Sequence, residues 1–182
     1  MFKNNPEEFI TKAIRLINEQ KATMIVEQIT YNQTDETYDS SIFTAEKNTD
    51  FSKAYHAKKN VQDYVFTDGY AKDGQSIERQ FAESMDLADE VCVYAKLPKG
   101  FSIPTPVGNY SPDWAIAFNK GTVKHIFFVA ETKGTMDSLN LKPIEQAKIA
   151  CAKKLFHNLS TSDIVYESVD SYQHLLDIMN KL

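Results

Sequence analysis

Hydrophobic residues recur at helical or strand spacing over most of the chain, and the pattern is clearest from Ser76 onward. An apolar row of Ile77, Phe81 and Met85 predicts an amphipathic helix with Ser76 as its N-cap. Two later apolar runs, separated by a Gly-containing turn, predict an antiparallel hairpin. The predicted elements are a helix from Ser76 to about Ala88, strands at Val91–Leu97, Asp113–Phe118 and Lys124–Glu131, a helix at Pro143–Asn158, a strand at Ile164–Tyr166 and a helix at Ser171–Leu182.

The first seventy residues carry a weaker pattern. Asn5, followed by proline and two acids, predicts the start of a helix that ends near Asn18. Residues Ala22–Tyr31 and Val61–Phe66 are rich in β-favouring side chains, and each predicts a strand. The polar stretch 32–60 has no clear period, so it predicts only a connection or a partly ordered insertion.

The order helix, three strands, helix, strand, helix predicts an α/β fold with a mixed central β-sheet flanked by helices. A length of 182 residues suits one domain with a small appendage. We therefore predict an N-terminal helix-strand extension over residues 1–70, which packs on or precedes the core, and a main domain over residues 71–182.

Composition narrows the class of protein. Hydrophobic residues make up 42% and charged residues 25% of the chain, as in globular proteins. No apolar run approaches the ~20 residues that a membrane-spanning helix needs, and the start has no signal-peptide pattern, so we expect a cytoplasmic protein without membrane contact. Cys92 and Cys151 lie in apolar stretches, which favours buried, reduced thiols.

The net charge of −5 argues against a large basic face that grips nucleic acid. A DNA enzyme with this charge would need metal ions that neutralise clustered carboxylates, or a larger assembly that delivers the substrate.

The predicted hairpin brings charged residues together. If its turn centres near Thr122, residues whose numbers sum to about 244 lie opposite each other, so Asp113 and Glu131 become cross-strand neighbours. Lys133 shares the face of Glu131 if the strand continues that far. Two adjacent carboxylates favour a bound cation, and oxygen ligands suit Mg²⁺ or Mn²⁺ better than zinc. Glu78, beside the apolar row of its helix, is a further acid that could reach the metal directly or through water.

These residues carry a family resemblance. Ser111-Pro112-Asp113-Trp114 and, after the hairpin, Glu131-Thr132-Lys133-Gly134 resemble the motif of the PD-(D/E)XK nuclease superfamily. A longer set resembles the C-terminal endonuclease domain of type III restriction enzyme Res subunits, most strongly between residues 76 and 157. That set adds Lys96-Leu97-Pro98, Phe101, Ile103, Thr105-Pro106, Gly108, Tyr110 and Lys148-Ile149-Ala150-Cys151-Ala152, and Pro6-Glu7-Glu8-Phe9-Ile10 resembles the Res region that links motor to nuclease.

The resemblance implies a restriction-endonuclease-like core and a Mg²⁺-dependent endonuclease, with Mn²⁺ able to substitute, that hydrolyses double-stranded DNA. It implies catalytic positions for Asp113, Glu131 and Lys133, a metal-binding carbonyl at Thr132, and less directly a role for Glu78. Its implied partners are a helicase-like motor domain and a modification (methyltransferase) subunit. The sequence has no Gly-rich phosphate loop of such a motor, so we expect a fragment or a stand-alone relative.

Two alternatives stay open: a non-catalytic protein-docking module with a nuclease-like fold, and a DNA repair or junction nuclease of the same superfamily. Trp114 is expected in the core rather than stacked on bases. The four histidines lack the spacing of zinc ligands. The lysines of the second core helix, Lys148, Lys153 and Lys154, suit a solvated face at least as well as phosphate contacts.

Overall fold

A computed structural model of the chain describes residues 5–32, 37–45, 51–67, 76–98, 100–120, 124–132, 143–159 and 164–181, with the backbone alone for 124–132. The elements in chain order are α1 (Pro6–Gln28), α2 (Ile42–Ala45), β1 (Ala54–His56), β2 (Tyr64–Phe66), α3 (Ile77–Leu87), β3 (Val91–Lys96), β4 (Trp114–Lys120), β5 (Lys124–Thr132), α4 (Pro143–Leu159), β6 (Ile164–Val169) and α5 (Tyr172–Met179). A 3-10 turn at Phe51–Lys53 precedes β1.

The main sheet has the strand order β3-β4-β5-β6. β4 pairs antiparallel with β3 and β5, whereas β6 pairs parallel with β5 after the crossover through α4. The predicted antiparallel hairpin and the mixed α/β class are therefore confirmed, and the elements from α3 onward follow the predicted order.

α3 packs on one face of this sheet. Its N-terminus is capped by Ser76, whose side chain accepts a hydrogen bond from the backbone N–H of Arg79 at 3.4 Å. Phe81 and Met85 are almost fully buried, and burying such a side chain contributes about 1.5–3 kcal/mol. The cluster that they join includes Trp114, Ile116, Phe118, Leu175 and Met179.

α4 packs on the opposite face. Its residues Ile149, Ala152 and Phe156 form a second buried cluster with Tyr166 of β6. The rings of Phe156 and Tyr166 are stacked, with centroids 5.4 Å apart. Val169 of β6 belongs to the α3 cluster instead, as expected when successive side chains alternate between the faces of a sheet.

Both cysteines are free thiols, as predicted. Cys151 of α4 is buried, while Cys92 of β3 is only partly buried. Among the residues that the structure describes, no helix has the length and apolar character needed to cross a membrane.

The strand predicted at Ala22–Tyr31 is wrong. α1 does not end near Asn18 but continues as a helix to Gln28, so the N-terminal extension begins with one long helix rather than a helix and a strand. Val26 lies in a buried cluster with Ala147 and Cys151 of α4. This contact with a neighbouring helix outweighs the β propensity of the segment, which is a weak local preference.

Residues 32–60, for which no helix or strand was predicted, contain the first strand of a small hairpin. This strand, β1, pairs antiparallel with β2. The predicted strand Val61–Phe66 is shorter than expected, because only its last three residues form β2. Ala57 and Val65 join the buried cluster around α3, so the hairpin packs on the core. The predicted division between residues 70 and 71 stays a prediction.

Asp86, near the end of α3, attaches this hairpin to the core. The carboxylate is buried and accepts hydrogen bonds from the backbone N–H groups of Lys58 at 2.8 Å and Lys59 at 3.0 Å. It also accepts from the hydroxyls of Tyr55 at 2.8 Å and Tyr94 at 3.0 Å. Burial acts to raise the pKa of Asp86, but these four hydrogen bonds outweigh it and hold the pKa below its usual range.

Asp86→Asn should lower the free energy of unfolding by about 2 kcal/mol or more, because the amide NH₂ faces donors that lose their acceptor. The carboxylate's contribution is complete above its unfolded-state pKa of about 4 and is lost as the pH falls through the lowered folded-state pKa. The stability difference from wild type should therefore shrink in acid. Urea unfolding as a function of pH measures it.

The matched control is Asp89→Asn, because Asp89 lies three residues away and is exposed. It should leave the unfolding free energy within about 0.5 kcal/mol of wild type. Equal effects of the two variants would contradict the role assigned to Asp86.

Candidate active site

The backbone positions of the predicted acids Asp113 and Glu131 lie at the same end of the main sheet. Trp114 pairs with Ala130 in the β4–β5 ladder, the register expected from a turn near Thr122. Asp113 immediately precedes Trp114, and Glu131 immediately follows Ala130. The backbone therefore brings both residues to the same end of adjacent antiparallel strands.

The start of β4 is firmly anchored. The carbonyl of Asp113 accepts a hydrogen bond from the N–H of Leu97 at 2.7 Å, which ties the residue to the end of β3. Pro112 and Trp114, on either side of Asp113, are both fully buried. Asp113 itself is only partly buried. Packing of its two neighbours thus fixes the backbone while leaving the carboxylate near solvent.

Trp114 is a core residue, as predicted. Its ring centroid lies 5.7 Å from that of Phe81 and 6.0 Å from that of Tyr94. The ammonium of Lys96 lies 5.0 Å from the Trp114 centroid, within the range of a cation–π contact.

Glu78 lies in the first turn of α3 and forms an ion pair with Lys96. Because Lys96 pairs with Trp114 in the β3–β4 ladder, this ion pair lies close to the end of the sheet that carries Asp113. The other glutamate of the helix, Glu83, instead pairs with Arg79 at 2.5 Å. No role was predicted for Lys96. The signal in the sequence was a charged residue at the end of an apolar strand.

Ser168 is a second residue that sequence reasoning missed. It pairs with Glu131 in the parallel β5–β6 ladder. The residue is 6% exposed, and its hydroxyl has no hydrogen-bond partner among the described residues. A buried hydroxyl without a partner is unfavourable and needs an explanation, often a role at a functional site. The predicted strand ended at Tyr166, two residues too early for Ser168 to be considered.

The side chains of three further predicted site residues lie outside the described part of the chain. Lys133 lies outside the described residues, and only the backbone of Glu131 and Thr132 is described, with Thr132 paired to Val169. Among the described side chains, no group of three His, Cys, Asp or Glu residues is arranged to hold a metal. The roles of Asp113, Glu131, Thr132, Lys133 and Glu78 therefore stay predictions.

The α4 lysines contact acceptors of the protein itself. Lys148 donates to the carbonyl of Asn109 at 2.8 Å, and Lys154 donates to that of Glu27 at 2.8 Å. Lys153 forms an ion pair with Glu167 at 2.6 Å. These contacts agree with a structural role for this helix face.

A groove of about 730 Å³ lies between the end of α1, α4 and the first residues of β6. The predicted acids lie beside the opposite end of β6, because Glu131 pairs with Ser168. The lining of the groove nevertheless extends along β6 to Glu167, which pairs with Ala130 and directly precedes Ser168.

Comparisons with known proteins identify the family. A family model described as an endonuclease domain matches residues 58–172, more than half of the chain. The Res subunit of the type III restriction-modification enzyme EcoP15I from Escherichia coli is 30% identical over 110 residues, which is 59% of this chain and 11% of that protein. The match thus spans a small part of the relative's length. No solved structure gives a significant match. The chain belongs to the endonuclease domain family, and its similarity to that Res subunit supports the resemblance to type III restriction enzymes.

Proposed function

We propose that this chain is the Mg²⁺-dependent endonuclease domain of a type III restriction enzyme, with a PD-(D/E)XK core, and that it hydrolyses phosphodiester bonds of double-stranded DNA. The observation that carries the proposal is the β4–β5 register, in which Asp113 and Glu131 flank the Trp114–Ala130 pair. The endonuclease family match supports the same chemistry.

The proposed donors suit a hard divalent cation. Two carboxylates on adjacent strands repel each other unless a proton or a cation lies between them. Asp113 and Glu131, with the carbonyl of Thr132, form an oxygen donor set of the kind that Mg²⁺ prefers, and Mn²⁺ accepts the same ligands. When bound, the ion supplies positive charge that polarises the phosphate and offsets charge developing in the transition state.

The chain's own side chains would complete the reaction. Lys133, two residues after Glu131, would orient the attacking water or stabilise the charge that develops on the phosphate oxygens. Glu78 is the further acid that we propose at this end of the sheet. Since Lys96 already neutralises Glu78, contact through a water molecule fits better than direct metal ligation.

Ser168 would hold Glu131 in position. Residues in register on neighbouring strands are close enough to interact, and the buried Ser168 hydroxyl has a hydrogen bond to donate. Outer contacts of this kind orient ligating carboxylates and tune metal affinity.

The proposed domain would act within a larger assembly. A net charge of −5 gives weak attraction to DNA, and the matched Res subunit is far longer than this chain. We propose that a helicase-like motor domain and a modification subunit deliver the DNA. Large apolar residues of α1 are 42–55% exposed, which supports contacts with such partners. These residues are Phe9, Ile10, Ile14, Leu16 and Ile17.

Asp113→Asn, Glu131→Gln and Lys133→Met should each lower the rate of DNA cleavage roughly 100-fold or more, because each removes a group that acts on the reacting phosphate. The measurement is cleavage of labelled duplex DNA with Mg²⁺ at low ionic strength, where a weakly binding chain retains most affinity.

Asp89→Asn is the control and should cleave at the wild-type rate. Full cleavage by Asp113→Asn or Lys133→Met would refute the assigned roles.

Parallel assays on nicked and branched DNA separate a restriction nuclease from a repair or junction nuclease, since the latter would prefer the branched substrates.

Calorimetric titration with MgCl₂ should show a site whose affinity falls at least about 10-fold in Asp113→Asn and in Glu131→Gln. Ser168→Ala should weaken the same site roughly 10-fold while leaving the fold intact, because it removes only the positioning hydrogen bond.

Glu78→Gln and Glu83→Gln form a matched pair on the same helix. Only the first should alter Mg²⁺ affinity, because Glu83 pairs with Arg79 instead. Magnesium binding that does not depend on Asp113 or Glu131, or no binding at all, would favour a protein-docking module.

A further inference from the structure

The β1–β2 hairpin exposes a face made of rings. Its register pairs Tyr55 with Val65 and His56 with Tyr64. Tyr55 and Val65 pack toward the buried cluster around α3, so alternation along the strands turns His56, Tyr64 and Phe66 to the other side. Phe51, in the turn before β1, covers the end of this side. We call these four residues, Phe51, His56, Tyr64 and Phe66, the aromatic face.

The rings of the aromatic face contact one another edge to face. Phe51 lies 5.5 Å from Tyr64 and 5.6 Å from Phe66, and His56 lies 5.3 Å from Tyr64, measured between ring centroids. Phe51 is still 62% exposed and Tyr64 41% exposed. The cluster is therefore held in place by its own contacts while offering ring surface to solvent. Contiguous exposed rings are a candidate binding surface.

The loop of the hairpin carries an exposed positive charge. Lys58 is exposed in the loop between the two strands. The neighbouring Lys59 is not available to a ligand in the same way, because its ammonium donates a hydrogen bond to the carbonyl of Ala88. The hairpin thus combines ring surface with the exposed charge of Lys58, which matches a ligand that has flat apolar groups on an anionic backbone.

The hairpin also adjoins the candidate active site. Its loop forms backbone hydrogen bonds with the edge strand β3. The backbone N–H of Tyr94 donates to the carbonyl of Lys59 at 3.0 Å, and the carbonyl of Tyr94 accepts from the N–H of Val61 at 2.9 Å. The side chain of Arg79 donates to the carbonyl of Ala54 at 3.0 Å. Arg79 directly follows Glu78, the acid whose partner Lys96 ends β3. A strand of DNA at the sheet end would therefore pass close to the aromatic face.

We propose that the aromatic face binds unpaired DNA by stacking on its bases, with the exposed Lys58 contacting a phosphate. The choice of DNA as the ligand rests on the proposed nuclease function. Bases of an intact duplex are already stacked on each other, so a ring platform takes bases only from single-stranded or opened DNA. Stacking on aromatic side chains tolerates any base, so the face contributes affinity and not sequence recognition.

The test is fluorescence anisotropy of a short 5′-labelled single-stranded oligonucleotide of mixed sequence, titrated with the whole chain in EDTA. Phe51→Ser and Tyr64→Ser should each weaken binding about 5- to 100-fold, the range for loss of one stacked base. Phe51→Tyr should restore wild-type affinity, because it restores a ring. Duplex of the same length should compete poorly.

Phe9→Ser is the matched control, since it removes an exposed phenyl ring from α1, and it should bind like wild type. Photocrosslinking with an oligonucleotide that contains 5-iododeoxyuridine should label the peptides carrying Phe51, His56, Tyr64 or Phe66. Both measurements omit Mg²⁺, so their outcome is independent of whether the Asp113 cluster cleaves DNA.

Three results would overturn the inference. The first is no measurable single-strand binding by the wild-type chain. The second is binding that Phe51→Ser and Tyr64→Ser leave unchanged. The third is a self-association in sedimentation that Phe51→Ser abolishes without any change in DNA affinity, which would make the aromatic face a protein interface. Failed cleavage together with intact, Phe51-dependent strand binding would refute the nuclease proposal alone.

Discussion

The pairing of β4 with β5 is the interaction on which the proposed site depends. Their ladder keeps one register from Trp114–Ala130 to Lys120–Lys124, and a slip of one residue would turn every side chain to the other face of the sheet. Trp114 prevents such a slip, because its ring is fully buried against Phe81 and Tyr94 and could not be exposed without a large loss of apolar burial. The position of Asp113 thus follows from the packing of its neighbour.

The sequence was most informative where local pattern and tertiary packing agree. The row Ile77, Phe81 and Met85 predicted α3 correctly, and two of its three side chains, Phe81 and Met85, lie in the buried cluster on the sheet. The same pattern was misleading at residues 22–31, where β-favouring residues lie within α1. There the contact between Val26 and α4, more than a hundred residues away in the chain, decides the structure, and no local pattern contains that information.

The candidate site was predictable in part for the same reason. The sequence predicted the register in which Trp114 pairs with Ala130, and this register places Asp113 and Glu131 at the same end of their strands. The Glu78–Lys96 ion pair joins a helix to a strand, and the Ser168–Glu131 pairing joins strands on either side of α4. Both depend on how distant segments pack, as do the hydrogen bonds from Lys58 and Lys59 to Asp86. A sequence motif identifies the acids, whereas the groups that surround them are known only from the fold.

The central claim is that Asp113 and Glu131 share one divalent cation at the end of the sheet. The most direct measurement is anomalous diffraction at the manganese edge from crystals of the chain grown with MnCl₂. The account predicts one strong peak within about 2 Å of an oxygen of each carboxylate, with Lys133 close by. Carboxylates that lie on different faces of the sheet, or a peak that contacts neither of them, would contradict it.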